Sequence, residues 1–314
     1  MTTTTAALTG SRRRPGDKIF SGTAAASAVL ILLILAGVGL FLLAEAYPAL
    51  VAPSEEIEGG QGLVLYLWPI LFGTLITAVI AMLVAVPVAV GIALFISHYA
   101  PRRLSQGLGY TIDLLAAVPS IVYGFWGVQV FALALVPLYQ WLAENVGWIP
   151  LFAGPASTTG KTILTASLVL AVMILPIITA LSREVFLQTP RLHEEAALAL
   201  GATRWEMIRY AVIPYGRSGI ISASMLGLGR ALGETMAVAL VLSGSAVGIT
   251  FNLISSGNPT TIAANIALQF PEATGLGVNT LIATGLVLFV VTFAVNFAAR
   301  AVVNRRKDFS GAAG

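Results

Sequence analysis

Arg230 and Glu234 stand four residues apart inside an otherwise apolar stretch at 218–244, a spacing that stacks two side chains one helical turn apart. A charge at bilayer depth costs about 2.5–3.5 kcal/mol on insertion scales. Such groups therefore face a bundle interior or a solute route rather than lipid. An acid four residues before a base supports a helix better than the reverse order, and this chain has the reverse. Helix propensity does not account for the pair. A guanidinium is a forked donor suited to a tetrahedral oxyanion, and a neighbouring carboxylate could hold it in one conformation and yield it to the anion in another. The expectation is that Arg230 contacts an anion in transit and Glu234 resets the charge balance. A static ion pair that fixes helix register is the competing reading.

Few other side chains could join that route. Ser120 follows Pro119, whose ring frees a backbone carbonyl one turn earlier. That carbonyl repels an anion, so only Ser120 or Tyr123 could donate there, and the segment reads as a hinge or gate. Thr235, beside Glu234, either lines the route or bonds its own backbone one turn back. Asp113 reads as an acid in the first turn of a span, complementing the helix dipole. His98, beside Tyr99, reads as a membrane-interface residue. His193-Glu194 opens like a zinc-protease helix, but Ala197 stands where the second histidine belongs. The absence of cysteine excludes disulfides, thiolate metal sites and a cysteine nucleophile. No Gly-x-x-x-x-Gly-Lys-Ser/Thr occurs, so this chain holds no ATP in a phosphate-cradling loop.

The elements that must position these groups are membrane spans. The chain has 314 residues, 57% hydrophobic and 10% charged, with a mean hydropathy of +0.91; soluble domains carry about 25% charged residues. Six apolar segments, at 19–44, 67–97, 112–138, 162–181, 218–244 and 278–299, are long enough to cross ~30 Å of hydrocarbon. Ala44-Glu45-Ala46 looks like a signal-cleavage site, but the run before it far exceeds the ~7–15 residues of a signal core. It reads as an uncleaved first span. Every Lys and Arg except Lys161 and Arg230 falls on one side of these spans, while Glu45, Glu55, Glu56, Glu58, Glu144 and Glu272 fall on the other. By the positive-inside rule both termini are cytoplasmic. Gly227, Gly229 and Gly233 read as close helix contacts; their spacing and mid-span position do not fit a dinucleotide fingerprint. No inverted repeat stands out, which argues against a secondary carrier.

The longest charged internal loop lies at about 182–216. Gln188-Thr189-Pro190 signals helix entry, and Glu194 and Glu195 follow in the first turns, where the dipole favours acids. Gly201 is a natural C-terminal stop, and Thr203 can cap a second short helix ending before Pro214. A helix–Gly–helix carrying Ala196, Ala197, Leu198 and Leu200 among charges suits a groove on another protein.

Glu195-Ala196-Ala197, three residues, then Gly201, with Ala211-Val-Ile-Pro214 nine residues later, resembles the EAA loop of type I ABC importer permeases. Ala211 and Ile213 stand where that family's pattern has Ile and Leu. Gly229-Arg-Ala-Leu-Gly-Glu-Thr-Met-Ala-Val238 resembles the fifth-span motif of the phosphate-specific (Pst) permeases, and its ending is closer to the PstC type than to the PstA type. Gly16-Asp-Lys-Ile-Phe20, Leu114-Leu-Ala-Ala-Val-Pro-Ser-Ile-Val-Tyr-Gly124 and Ile262-Ala-Ala-Asn-Ile-Ala also match, so the resemblance runs from Gly16 to Arg300.

The resemblance implies an all-α, six-span permease fold in the cell membrane. It divides the chain into a tail, first span and acidic outer loop at 1–65, a five-helix core at 66–300, and a cytoplasmic tail at 301–314. It implies that Glu194, Glu195, Ala196, Ala197 and Gly201 couple to a separate ATPase, and that Arg230, Glu234, Thr235 and Ser120 line the substrate route. The implied partners are a PstA-like permease, two PstB-like ATP-binding subunits that hold ATP and Mg, a PstS-like extracytoplasmic phosphate-binding protein and the lipid bilayer; nucleic acid is not among them. This chain itself carries no cofactor and no catalysis. The polar outer loop at 245–276, with a surface helix at 261–270, reads together with the acidic Glu55–Glu58 loop as a dock for the binding protein or as a passive connector. Other cargoes of the same architecture are molybdate or sulfate; an ion-coupled carrier and an intramembrane enzyme are the readings from other classes.

Overall fold

The computed structural model describes residues 15–57, 60–242 and 250–310. Among them every long regular element is helical, as expected where backbone N–H and C=O groups must be satisfied without water. Helix α1 spans Pro15–Val51 and α2 spans Leu63–Leu94, prolonged by a π turn at Phe95–Tyr99. Next come α3 (Arg102–Ala116), α4 (Ser120–Trp126) and α5 (Ala132–Asn145), the last two joined by a π turn at Gly127–Phe131. Helix α6 covers Ile163–Leu187, and α7 (Arg191–Ala199) and α8 (Arg204–Met207) follow it. A π turn at Ile208–Val212 leads into α9 (Ile213–Leu232), then α10 (Met236–Val241), α11 (Ile262–Gln269) and α12 (Leu276–Ser310).

The core is the packing of α2, α6 and α9. Ala78, Ala81, Ala85, Ala89 and Ala93 recur every three or four residues along α2 and are buried, so they form one stripe. The first four pack against Leu170, Met173, Ile174 and Ile178 of α6; small residues let the two backbones approach closely. Gly227 does the same on α9, where a Cβ would lie 2.7 Å from Ile178 Cδ1. Helix α1 lies along α12, with Ala46 and Ala49 against Ala283 and Asn279 Nδ2 donating to the Glu45 carbonyl at 2.7 Å.

Among the described residues, five segments are long and apolar enough to cross a bilayer: Ile19–Val51, Leu63–Tyr99, Ser120–Asn145, Ile163–Leu187 and Leu276–Ala301. The remaining expected span, the fifth, at 218–244, is instead two helices over its described residues. Helix α9 has 20 residues, about 30 Å at ~1.5 Å per residue, but carries both Arg217 and Arg230. It ends at Leu232, and α10 begins at Met236. Gly233 disfavours a helix interior by about 1 kcal/mol relative to Ala, and the Glu234 carboxylate bonds forward to the next helix instead of continuing the last.

The third span begins at Ser120 rather than at 112. Pro119 lacks an N–H and biases the residue before it away from helix, so residues 102–116 form the separate α3, which turns Gly109 and Ile112 inward. Asp113 consequently lies in the last turn of α3, where the dipole favours bases; it is not an N-terminal acid. Helix α6 runs on to Leu187, so the charged loop starts at Gln188 and not at 182. The outer helix expected on the surface at 261–270 is largely buried: Ile262 and Ala264 are 0% exposed and Asn265 6%. It wedges among α2, α10 and α12. Its polar groups find partners on α2: Thr74 Oγ1 accepts from Ile262 N–H at 2.9 Å, and the Tyr66 hydroxyl accepts from Asn265 and donates to Gln269.

Candidate functional site

Arg230, half-buried in the last turn of α9, borders a cavity of about 730 Å³ between α9, α6 and α12. Ser222, Met225 and Ile177 share its wall, together with Asn296 and Arg300 of α12. The Tyr123 hydroxyl of α4 donates to the Leu115 carbonyl at 2.9 Å. Glu234 is elsewhere. It is 7% exposed, lies in the break after α9, and its Oε1 accepts from Ala237 N–H at 3.1 Å. Among the described residues no ion pair joins Arg230 to Glu234. The i, i+4 stacking is lost because the helix ends between them, so in this conformation no static pair fixes helix register.

Ser120 opens α4 directly after Pro119, and Thr235 occupies the residue before α10; both are half-buried. Their two helices pack directly, at an approach set by Gly124, where a Cβ would lie 2.9 Å from Ala237 Cα. The break in the third span and the break in the fifth are thus brought side by side. Gly124 carried that information in sequence only as one glycine among many.

On the face where the Lys and Arg residues collect, α7 carries the expected coupling residues. It is closed by Gly201 at φ +85°, with Gly201 N–H donating to the Leu198 carbonyl at 3.0 Å and Ala202 N–H to the Ala197 carbonyl at 3.2 Å. This is the two-bond C-terminal stop that a left-handed glycine allows. Thr203 and Glu206 then form a reciprocal cap on α8. The Thr203 N–H and hydroxyl both donate to Glu206 Oε2 at 2.8 Å and hold its carboxyl below the ordinary value of 4.5.

Helix α7 has two distinct faces. Ala197 packs toward Leu94, Phe186, Met207 and Ile208. One turn earlier, Glu194 Oε1 lies 3.5 Å from His98 Nε2, and His98 Nδ1 is 2.7 Å from the Ser97 hydroxyl. His98 is therefore a partner of α7 as well as a residue beside Tyr99. No local pattern could have shown this, because 96 residues separate it from Glu194. Glu195 and Ala196 face solvent, with Leu192 73% and Leu200 90% exposed. The helix after Thr203 does not end before Pro214. A wider turn lets Ile213 N–H reach the Ile208 carbonyl, so the chain passes into α9 without a break, with Pro214, which has no N–H, in its first turn. The coupling segment is thus continuous with the helix that carries Arg230.

Residues 85–308 match the family described as binding-protein-dependent transport system inner membrane component. The phosphate transport system permease protein PstC 2 of Mycobacterium tuberculosis is 46% identical over 300 residues, covering 92% of each chain. The chain belongs to the PstC-type permeases. PstC of Mycobacterium leprae is 42% identical over 278 residues, 85% of this chain and 86% of that one. The fold of this PstC-type permease is also that of the inward-facing MetNI methionine ABC transporter, with a TM-score of 0.51 at 17% identity, covering 76% of this chain and 93% of the other. The PstC-type permease is an all-α, multi-pass inner-membrane protein, a transport component rather than an enzyme.

Proposed function

We propose that this chain is the permease subunit of an ATP-driven importer that moves inorganic phosphate from an extracytoplasmic binding protein into the cytoplasm. The observation that carries the reading is near full-length similarity to relatives named as phosphate transport permeases. The chemistry of Arg230 beside a cavity supports it, since a forked cationic donor suits a tetrahedral oxyanion. Ser120 and Thr235, at the two adjacent helix breaks, flank the route, and Glu234 fixes the start of α10.

In this reading the exposed face of α7, with Glu195, Ala196 and the flanking leucines, docks on an ATP-binding subunit that holds ATP and Mg. Glu194 and Ala197 hold that helix against the rest of the chain, and Gly201 closes it. A second, PstA-like permease completes the membrane unit, two PstB-like subunits drive it, and a PstS-like protein delivers the anion. The positive-inside bias puts both termini in the cytoplasm. Glu56 of the acidic outer loop and Gln269 and Glu272 at the end of α11 border one cavity of about 420 Å³, which supports a shared dock for the binding protein on the outer face. Residues 1–65, 66–300 and 301–314 remain the working division of the chain.

The test is co-purification of the partner chains, followed by ATP-dependent uptake of radiolabelled phosphate, sulfate and molybdate into proteoliposomes. Uptake of phosphate alone supports the proposal. Preferential uptake of either other oxyanion contradicts the cargo, and transport without any ATPase partner contradicts the mechanism.

A further inference from the structure

The cavity beside Arg230 has a second guanidinium in its wall. Arg300 of α12 borders the same space of about 730 Å³, with Asn296 one turn before it and Ser222 across from α9. The two arginines enter from opposite ends. Helical side chains lean toward their own N-terminus; α9 starts from the coupling segment, while α12 starts after the outer helix α11. Arg230 and Arg300 thus reach the same space from two helices. Among the described residues that border this cavity none is Asp or Glu. Glu234, the nearest acid in sequence to Arg230, is occupied at the start of α10. Two guanidinium groups without a compensating acid, set in a wall that includes Ile177 and Met225, favour an anion of matching double charge.

Ser222 adds a basis for selection. Its hydroxyl proton is committed to the Ser218 carbonyl at 2.9 Å, so toward the cavity its oxygen offers lone pairs only. An acceptor among donors rewards a guest that brings its own proton. Hydrogen phosphate has a P–OH to donate; sulfate has none.

We propose that Arg230, Arg300, Asn296 and Ser222 form a holding site for the hydrogen-phosphate dianion on the cytoplasmic half of the route, with Arg300 receiving the anion beyond Arg230. This rests on the phosphate-permease reading and deepens it by naming the receiving residues and the acceptor that discriminates against sulfate. The phosphate of an anionic lipid headgroup offers the two arginines the same chemistry, so the experiment separates the two sources.

Because the chain has no cysteine, Ala299→Cys places a single reporter thiol on this subunit at a bordering position without a polar group. The complete transporter bearing it is embedded in phosphatidylcholine nanodiscs, and maleimide labelling is timed with inorganic phosphate, inorganic sulfate or neither. A parallel set contains phosphatidylglycerol. Millimolar phosphate is expected to slow labelling about threefold or more, as occupancy rises above the dissociation constant, whereas sulfate is not. Arg300→Gln in the same background removes the protection, Arg300→Lys keeps part of it, and Ser222→Ala narrows the gap between phosphate and sulfate. Absent protection, equal protection by both anions, or protection by phosphatidylglycerol alone overturns the site. ATP-driven phosphate uptake by the unsubstituted complex is measured alongside. Uptake without protection overturns the holding site and leaves the permease reading standing; no uptake overturns both.

Discussion

Arg230 and Glu234 are close in sequence but enter different surroundings, because α9 ends at Leu232 and leaves Glu234 in the break. Their types and their depth in an apolar segment were legible; their geometry was not, since the i, i+4 rule assumes an unbroken helix. The consequence can be measured. Glu234→Gln keeps an oxygen that accepts from Ala237 N–H and is expected to retain most uptake. Glu234→Ala strands that buried donor, costs about 1–3 kcal/mol and lowers the thermal midpoint of the purified complex. Equal loss of uptake in both variants at unchanged stability would show that the charge matters rather than the cap. Glu206 offers a second residue-scale check. Its carboxyl is held low by Thr203, so the cap contributes above the unfolded-state value and is lost as pH falls through the folded one. The Glu206 carboxyl resonance of isotope-labelled protein is expected to titrate below the ordinary value of 4.5 and to return toward it in Thr203→Val. An unshifted titration in the parent protein contradicts the cap.

Among the elements, the coupling segment was the most legible. Gly201 and Thr203 carry local signals that act within a single turn, and the structure uses both as read, with Glu206 completing the Thr203 cap. The breaks and the buried outer helix were not legible, for a physical reason. The polar composition of the 245–276 loop as a whole made the helix within it look solvated, yet its partners, Thr74 and Tyr66, come from α2 nearly 200 residues earlier. Pro119 announced a disruption but not whether the span would kink or split. The burial of α11 predicts that Thr74→Val, which leaves the Ile262 N–H without an acceptor, destabilises the outer half by about 1–3 kcal/mol. Gly73→Ala is expected to do more, because its Cβ would collide with the Thr260 carbonyl. Faster amide exchange in 260–265, with the α2–α6 core still protected, is the expected signature. Unchanged exchange in both variants would show that α11 does not depend on this contact.

At the scale of the whole molecule, one continuous path joins the exposed leucines of α7, the capped α8, the wide turn at Ile208–Val212 and α9 with Arg230. Composition made the membrane class and the all-α fold plain before any coordinates. It could not show that the fifth crossing is broken, or that the break lies beside the one in the third. That arrangement makes α7 and the helix that bears Arg230 parts of one continuous run, which in the proposed reading would carry movement of α7 to the group assigned to the anion. The most direct measurement is ATP-driven uptake of radiolabelled phosphate by the reconstituted complex carrying Arg230→Gln, with assembly and binding-protein-stimulated ATP hydrolysis recorded in the same preparation. Uptake should fall at least about tenfold, the loss of one charge-assisted contact of roughly 1.4 kcal/mol or more, while the complex stays assembled and still hydrolyses ATP. Undiminished uptake in that preparation would remove Arg230 from the route.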